Sequence, residues 1–428
     1  MKAFNRLYKW FLPGMKIKRW IFLSWIGLSI FSIGLILLMD IKSYIPMEVR
    51  LAEILGVDTR TVDLLMIFIG LILLLVGIRQ WFVSIYMAVV PHEKKSLVDV
   101  IFEKRQLDYG LKITALGGGT GLSSLLRGLK THTSNLTAVV TVADDGGSSG
   151  RLRKEMGVLP PGDIRNCLVA LADQESLMGE LFQYRFSDGE SLEGHSFGNL
   201  FLVAMTAVAG DFDQAIKKSS KILAIRGRVI PSTLSPVTLC AVTKSGEMIK
   251  GESAITHDRR SIDRVYLEPG DCRPPDEVIE AIADCNLVVL GPGSLFTSVL
   301  PNLRVRGMVE AINRSRASVV YVCNVMTQPG ETDGFTASDH LKALLKSVPD
   351  LKIDYCLVNN QMPPMELLEK YRREDQSAVE VDLENIEKMG IKPIQTPLIS
   401  TTDLVRHDSN LLAQSIIGIL KEPHGEVL

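Results

Sequence analysis

The sequence predicts an α/β protein: a Rossmann-like, doubly wound, mostly parallel sheet with a small antiparallel β excursion, preceded by two transmembrane helices. Three observations carry this expectation. Apolar, largely β-branched runs at 111–116, 136–142, 287–290, 319–322 and 356–358 alternate with helical patterns such as Met308–Arg314 and 337–345. Continuous runs of that kind mark strands covered on both faces. Residues 238–244, 247–255 and 263–267 alternate polar and apolar around a Ser245-Gly246 turn, the mark of antiparallel pairing that could cap one side of a site. Finally, the first ninety residues hold two long apolar runs.

Residues 20–39 carry no charge, and residues 64–78 form a second apolar run that 81–90 extends past Arg79 and Gln80. Twenty helical residues at about 1.5 Å each cover the roughly 30 Å hydrocarbon core, so the expected spans are about 20–39 and 64–84. The length of the first run, and the second run after it, argue against a cleaved signal peptide. Lys2, Arg6, Lys9, Lys16, Lys18 and Arg19 precede the first span; Arg79, Lys94, Lys95, Lys104 and Arg105 follow the main part of the second. The loop 40–63 holds Asp40, Glu48, Glu53, Asp58 and Asp63 against Lys42, Arg50 and Arg60. This asymmetry predicts a multi-pass protein of the cytoplasmic membrane with both termini and the large domain in the cytoplasm. Trp20, Trp25, Trp81 and Tyr86 are candidate interface anchors. A membrane hairpin, 1–90, is thus joined by a linker, 91–110, to a cytosolic domain, 111–428.

The 428 residues carry a net charge of only −2, which gives no global signal for nucleic acid. Six cysteines without a C-x-x-C pair read as buried, reduced thiols rather than as zinc ligands or a disulfide framework. No G-x-x-x-x-G-K-[ST] or H-E-x-x-H occurs. Residues Gly117–Gly121 give G-x-G-x-G instead of G-x-G-x-x-G, which weakens a nicotinamide dehydrogenase.

In an open parallel sheet, ligands bind beyond the carboxyl ends of the strands. Four predicted strand ends here are rich in small polar residues. The first gives Gly117-Gly118-Gly119-Thr120-Gly121, whose glycines admit positive φ and close approach to an anion, with a helix over 122–129 aiming its N–H groups at the same point. The second gives Asp144 and Asp145, then a flexible 146–150 loop with Ser148 and Ser149 as phosphate donors. One carboxylate could hold a ribose hydroxyl and the other Mg²⁺ against a diphosphate; a solvated Asx turn is the plainer reading. The third contains Gly291, Gly293, Ser294, Thr297 and Ser298, and the fourth Asn324, Thr327 and Gln328.

Further candidates flank these loops. Asp163 is expected to cap an apolar helix running through Leu171, with Arg165 and Asn166 in its first turn. A cation there opposes the helix dipole, so a nearby anion would rationalise Arg165. His195 and Asn199 open a helix over 200–208 that is apolar nearly all round and expected to be buried. They are ligand contacts or simply satisfied interior groups. Arg226 and Arg228 are candidate phosphate or carboxylate clamps, with ordinary surface pairing as the alternative; Arg151 and Arg153 stand likewise.

At these motifs, together with Pro160–Asn166 and Gly194–Asn199, the chain resembles the gluconeogenesis factor (YvcK-like) family, part of the CofD-like superfamily that includes 2-phospho-L-lactate transferases. The likeness runs from about Lys112 to past Asp403. It implies a Rossmann-like domain that binds a nucleotide sugar such as UDP-N-acetylglucosamine. It also implies a regulatory role in cell morphogenesis and wall-precursor metabolism during gluconeogenic growth. Carried over by position, Gly118, Thr120, Asp144, Ser148, Ser149, Gly293, Ser294 and Asn324 face the ligand. The 146–150 and 160–166 stretches resemble the gluconeogenesis factor version and weigh against phospholactyl transfer. The alternative is a CofD-type, Mg²⁺-dependent transferase using a nucleotide-diphosphate-linked donor, with Arg165 or Arg226 stabilising developing charge. Compact members of the family begin near the glycine-rich strand, so the hairpin here implies a tether to the inner membrane face. The expected partners are the nucleotide sugar, the lipid bilayer, proteins of wall synthesis or regulation, and a second copy of the chain.

Overall fold

The computed structural model describes residues 18–39, 58–89, 105–173, 177–189, 191–400 and 405–420, with positions 49, 52, 54 and 56 between the first two segments. The chain divides into two compact units, Met1–Glu103 and Lys104–Leu428.

In the first unit, the helices Lys18–Leu38 and Thr59–Val89 pack against each other through glycines. A Cβ added to Gly27 would stand 2.4 Å from Leu74 N, and one added to Gly70 would stand 2.4 Å from Phe31 N. The absence of side chains lets the two backbones touch. The outward faces stay apolar: Phe22, Trp25, Phe68 and Leu75 are exposed. Arg19–Leu38 and Thr59–Ser84 are long and apolar enough to cross a membrane. The charges expected to orient them at 1–17 and 90–104, most of the 40–63 loop, and the Tyr86 side chain lie outside the described residues.

The second unit contains twelve strands among its described residues. In chain order they are β1 (Ile113–Gly117), β2 (Leu136–Val140), β3 (Arg228–Pro231), β4 (Thr238–Thr243), β5 (Met248–Lys250) and β6 (Ile262–Glu268). They continue as β7 (Leu287–Leu290), β8 (Ser318–Val322), β9 (Tyr355–Asn359), β10 (Lys392–Thr396), β11 (Ile399–Ser400) and β12 (Arg406–His407). Seven form one parallel sheet in the order β10-β9-β8-β7-β1-β2-β3. The chain winds outward from β1 through β2 to β3, then returns to the other side of β1 through β7. The order therefore reverses between β1 and β7, the crevice where such sheets bind ligands.

Alternate strand residues feed two cores. Ile113 and Ala115 meet Leu122 and Leu125 on one face; Leu116, Val288 and Leu290 meet Leu295 and Val299 on the other. Both faces are covered, which is why these strands read as unbroken apolar runs.

The antiparallel excursion is the three-stranded sheet β5-β4-β6. Its expected 247–255 strand is shorter: β5 ends at Lys250, Gly251 adopts φ 100°, and Glu252–His257 is a helix. β3 and β10, at the two edges of the large sheet, were not anticipated, since Arg228-Val-Ile-Pro231 and Lys392-Pro-Ile-Gln-Thr396 are short and carry proline. Residues 146–150 are not a free loop but the start of the helix Gly147–Met156. The helix Phe197–Ala209 is not buried all round. Only Gly198, Asn199, Leu202 and Val203 are buried, and Val208 is 77% exposed, because the neighbouring helices Leu177–Gln183 and Phe212–Ile222 cover one side. All six cysteines are buried and free.

Candidate functional site

The glycine turn is specialised residue by residue. Gly119 alone of its four glycines has positive φ, 62°. Gly118 is extended (φ −167°) and matters for space: a Cβ there would stand 2.6 Å from Asp163 Oδ2 and 2.7 Å from the Thr141 methyl. On Gly121 it would stand 2.4 Å from the Pro292 carbonyl oxygen. The start of the Gly119–Leu129 helix and the loop after β7 can approach only because Gly121 has no side chain. Gly117, by contrast, has Leu122 at an ordinary 3.4 Å. Gly291 (φ 84°) and Gly293 (φ 151°) bend the β7 loop into place. Asn302, fully buried, donates to the Gly117 and Ser298 carbonyls and ties the two loops together. Ser294 caps the turn of helix that follows, accepting from Thr297 N–H at 3.0 Å.

Where these loops meet the one after β8 there is a cavity of about 380 Å³. Gly118, Gly119, Thr120, Gly121, Gly293, Ser294, Thr297, Ser298, Asn324, Thr327 and Gln328 all line it, so the structure brings together three of the four predicted strand ends. Glu252, Glu331, Tyr371 and Arg406 line it too and were not singled out from the sequence. Glu331 lies three residues past Gln328, in the same loop after β8, and could have been; Arg406 comes from the β11–β12 hairpin and had no local signal.

The acids of this region crowd one another. Glu331 is 4% exposed, accepts a hydrogen bond from Ser294 Oγ, and is held above the usual carboxylate range by burial. Burial, reinforced by Asp144 and Asp163, raises Glu252 to about 8. Asp163 rises to about 6, again through burial, although a hydrogen bond from the Gly119 backbone opposes the shift. Asp163 is therefore not the expected N-cap. Pro161 holds that position, and Asp163 sits in the first turn of the helix Gly162–Leu171 with its carboxyl turned toward the glycine turn.

Behind the cavity lies a buried polar network. Ser148 Oγ shares a hydrogen bond with His195 Nδ1 at 2.9 Å and accepts from Asn199 Nδ2 at 3.1 Å. Asn199 Oδ1 in turn accepts from Arg165 at 3.0 Å, and Arg165 also reaches Ser196 and Asn166. Ser149 lies against Gly162, next to Asp144. His195 is 3% exposed and held below the usual imidazole range by burial, so it braces the Gly147–Met156 helix rather than lining the cavity. Arg165 Nε has no partner among the described residues; nearby Asp163 and Asp144 offset its charge.

Asp144 and Asp145 face different partners: Asp145 Oδ1 accepts from Ser253 N–H at 2.8 Å and anchors the Glu252–His257 helix, while Asp144 Oδ1 accepts from Gly146 N–H, the Asx-turn contact. Among the described residues no group of three or more His, Cys, Asp or Glu side chains is arranged to hold a metal by itself, so a Mg²⁺ at Asp144 would need phosphate oxygens of a ligand to complete its shell. Arg226 is remote from the site. It precedes β3, at the amino end of the parallel sheet, and pairs with Asp173. Arg228 likewise donates to Thr137 Oγ1, while Arg151 and Arg153 donate to the Glu193 and Val237 carbonyls.

A parallel sheet with glycine-spaced loops converging at its switch point defines the Rossmann-like, doubly wound α/β class. Within that class, residues 113–399 match the family described as 2-phospho-L-lactate transferase CofD. The gluconeogenesis factor of Bacillus subtilis is 47% identical over 312 residues, 73% of this chain and 98% of its own. A relative from Nostoc sp. is 43% identical over 421 residues, 96% of this chain and 92% of its own, so the likeness there extends into the hairpin. A crystal structure of a protein from Bacillus halodurans superposes with a TM-score of 0.70 at 46% identity, covering 72% of this chain and 99% of that one. The chain belongs to the CofD family, in its gluconeogenesis factor branch.

Proposed function

We propose that this chain is a nucleotide-sugar-binding regulator, responsive to a UDP-sugar such as UDP-N-acetylglucosamine and acting on wall-precursor metabolism and cell shape during gluconeogenic growth. The observation that carries the reading is the cavity itself. Two loops, kept close by the bare backbone of Gly121, face Asn324 and Thr327 across about 380 Å³ at the switch point of the sheet. Ser298 and Thr120 supply hydroxyls, and the start of the Gly119–Leu129 helix supplies backbone N–H groups suited to phosphate oxygens. Thermal unfolding of the full chain in detergent, with UDP-N-acetylglucosamine, UDP-glucose, GDP and NAD in parallel, tests this. A ligand at about a hundred times its dissociation constant stabilises by roughly 2.7 kcal/mol. No response to either UDP-sugar overturns the reading, and turnover of a nucleotide-linked donor in the same samples would replace regulation with transfer chemistry.

The two apolar helices support a tether to the cytoplasmic membrane, since their outward faces are apolar and exposed instead of packed in a protein core. Recovery of the chain in the membrane fraction after an alkaline carbonate wash is the expected result; release into the supernatant would remove the tether from the proposal.

A further inference from the structure

The carboxyl edge of the sheet carries a second cavity, about 320 Å³, over the ends of β8, β9 and β10. Asn324 and Val325 belong to both cavities, so the two are contiguous across the loop that leaves β8. Their chemistry differs. The first is lined by Glu252, Glu331 and Arg406; the second carries one carboxylate, the exposed Glu380, and a buried, uncharged Cys323 thiol. Its floor is apolar, with Val358 and Pro363 buried, and its rim is a row of amides. Asn360, Gln361 and Gln395 are exposed, and their side chains make no hydrogen bond to another described residue.

The geometry points to this amide-rimmed cavity as the seat of the glycosyl end of the bound nucleotide sugar, an inference that rests on the reading proposed above. The strand order supplies the direction. With phosphates held between the β1 and β7 loops, one end of the ligand extends over β2, where Asp144 occupies the place of a ribose-binding acid. The other end extends over β8 toward β9 and β10. A sugar presents hydroxyls and an acetamido group around an apolar ring face. Free amides, each donor and acceptor at once, match the first, and an apolar floor matches the second. An anionic group would find no counter-ion there.

Binding of UDP-N-acetylglucosamine and of UDP to the full chain in detergent, compared by calorimetry for wild type, Asn360→Ala and Gln395→Ala, tests the assignment. These side chains hold no structural bond, so the variants should fold, and unfolding temperatures within a degree or two of wild type check this. Each variant should weaken UDP-N-acetylglucosamine about tenfold, the worth of roughly one net hydrogen bond, and leave UDP as it is. Equal weakening of both ligands would place the nucleoside end in this cavity and overturn the inference. So would wild-type affinity for the sugar nucleotide in both variants, with the nucleotide-sugar reading itself intact. If wild type binds neither UDP nor the sugar nucleotide, the underlying reading fails first.

Discussion

Asp163 occupies the space that a side chain on Gly118 would need: a Cβ there would stand 2.6 Å from Asp163 Oδ2. The turn after β1 and the helix Gly162–Leu171 are thus built around one another, and the glycine is there for a carboxylate as much as for a ligand.

Gly118→Ala should therefore destabilise the protein by about 2 kcal/mol through overpacking against Asp163 and the Thr141 methyl. Gly121→Ala should do the same and also weaken ligand binding, because the obstacle is the Pro292 backbone, which cannot swing aside. Gly117→Ala, with its nearest neighbour at 3.4 Å, should be close to neutral. Denaturant unfolding of the three variants would show this order; a neutral Gly121→Ala would contradict the described approach of the two loops.

The raised acids make stability depend on pH with a definite sign. Asp163 moves from 3.8 to about 6 and Glu252 from 4.5 to about 8, so the folded state holds these protons more tightly than the unfolded chain. Their stabilisation is complete below the ordinary carboxylate values and is lost as pH rises through about 6 and then about 8. The ligand-free protein should unfold at a lower temperature at pH 9 than at pH 5.5. Glu252→Gln should flatten the upper part of that fall, and an unchanged profile in this variant would mean that Glu252 is not the group titrating.

The network behind the cavity should behave as a unit. Asn199 is 2% exposed, and Asn199→Leu strands one Arg165 donor and leaves the Ser148 hydroxyl with His195 as its one strong partner, for a loss of about 2 kcal/mol. The double variant Asn199→Leu/Ser148→Ala should cost less than the sum of the two single changes, which a double-mutant cycle measures.

Arg226 provides the contrast. Its pair with Asp173 is 35% and 48% exposed and lies at the opposite end of the sheet, so Arg226→Ala should cost under about 1 kcal/mol. Affinity for any ligand at the carboxyl edge should not change. A clear loss of binding would place Arg226 in the site after all.

The sequence by itself determined the parallel sheet, because strands buried on both faces must be largely apolar along their whole length, as 287–290 is. It also determined which loops face one edge, since strand direction fixes where each run must end. The two long apolar helices were equally legible, as length and the absence of charge are properties of the chain alone. Tertiary structure decided what each polar group in those loops does. Asp144 and Asp145 are neighbours in sequence, yet one turns toward Gly162 while the other is taken by Ser253, 108 positions away. Arg226 and Arg165 look alike as clamps, but the amino and carboxyl ends of a sheet are distinguished only once β3 is placed in it. Glu252 and Arg406 reach the cavity from a helix and a hairpin whose positions are set by long-range packing, where a local pattern carries no information.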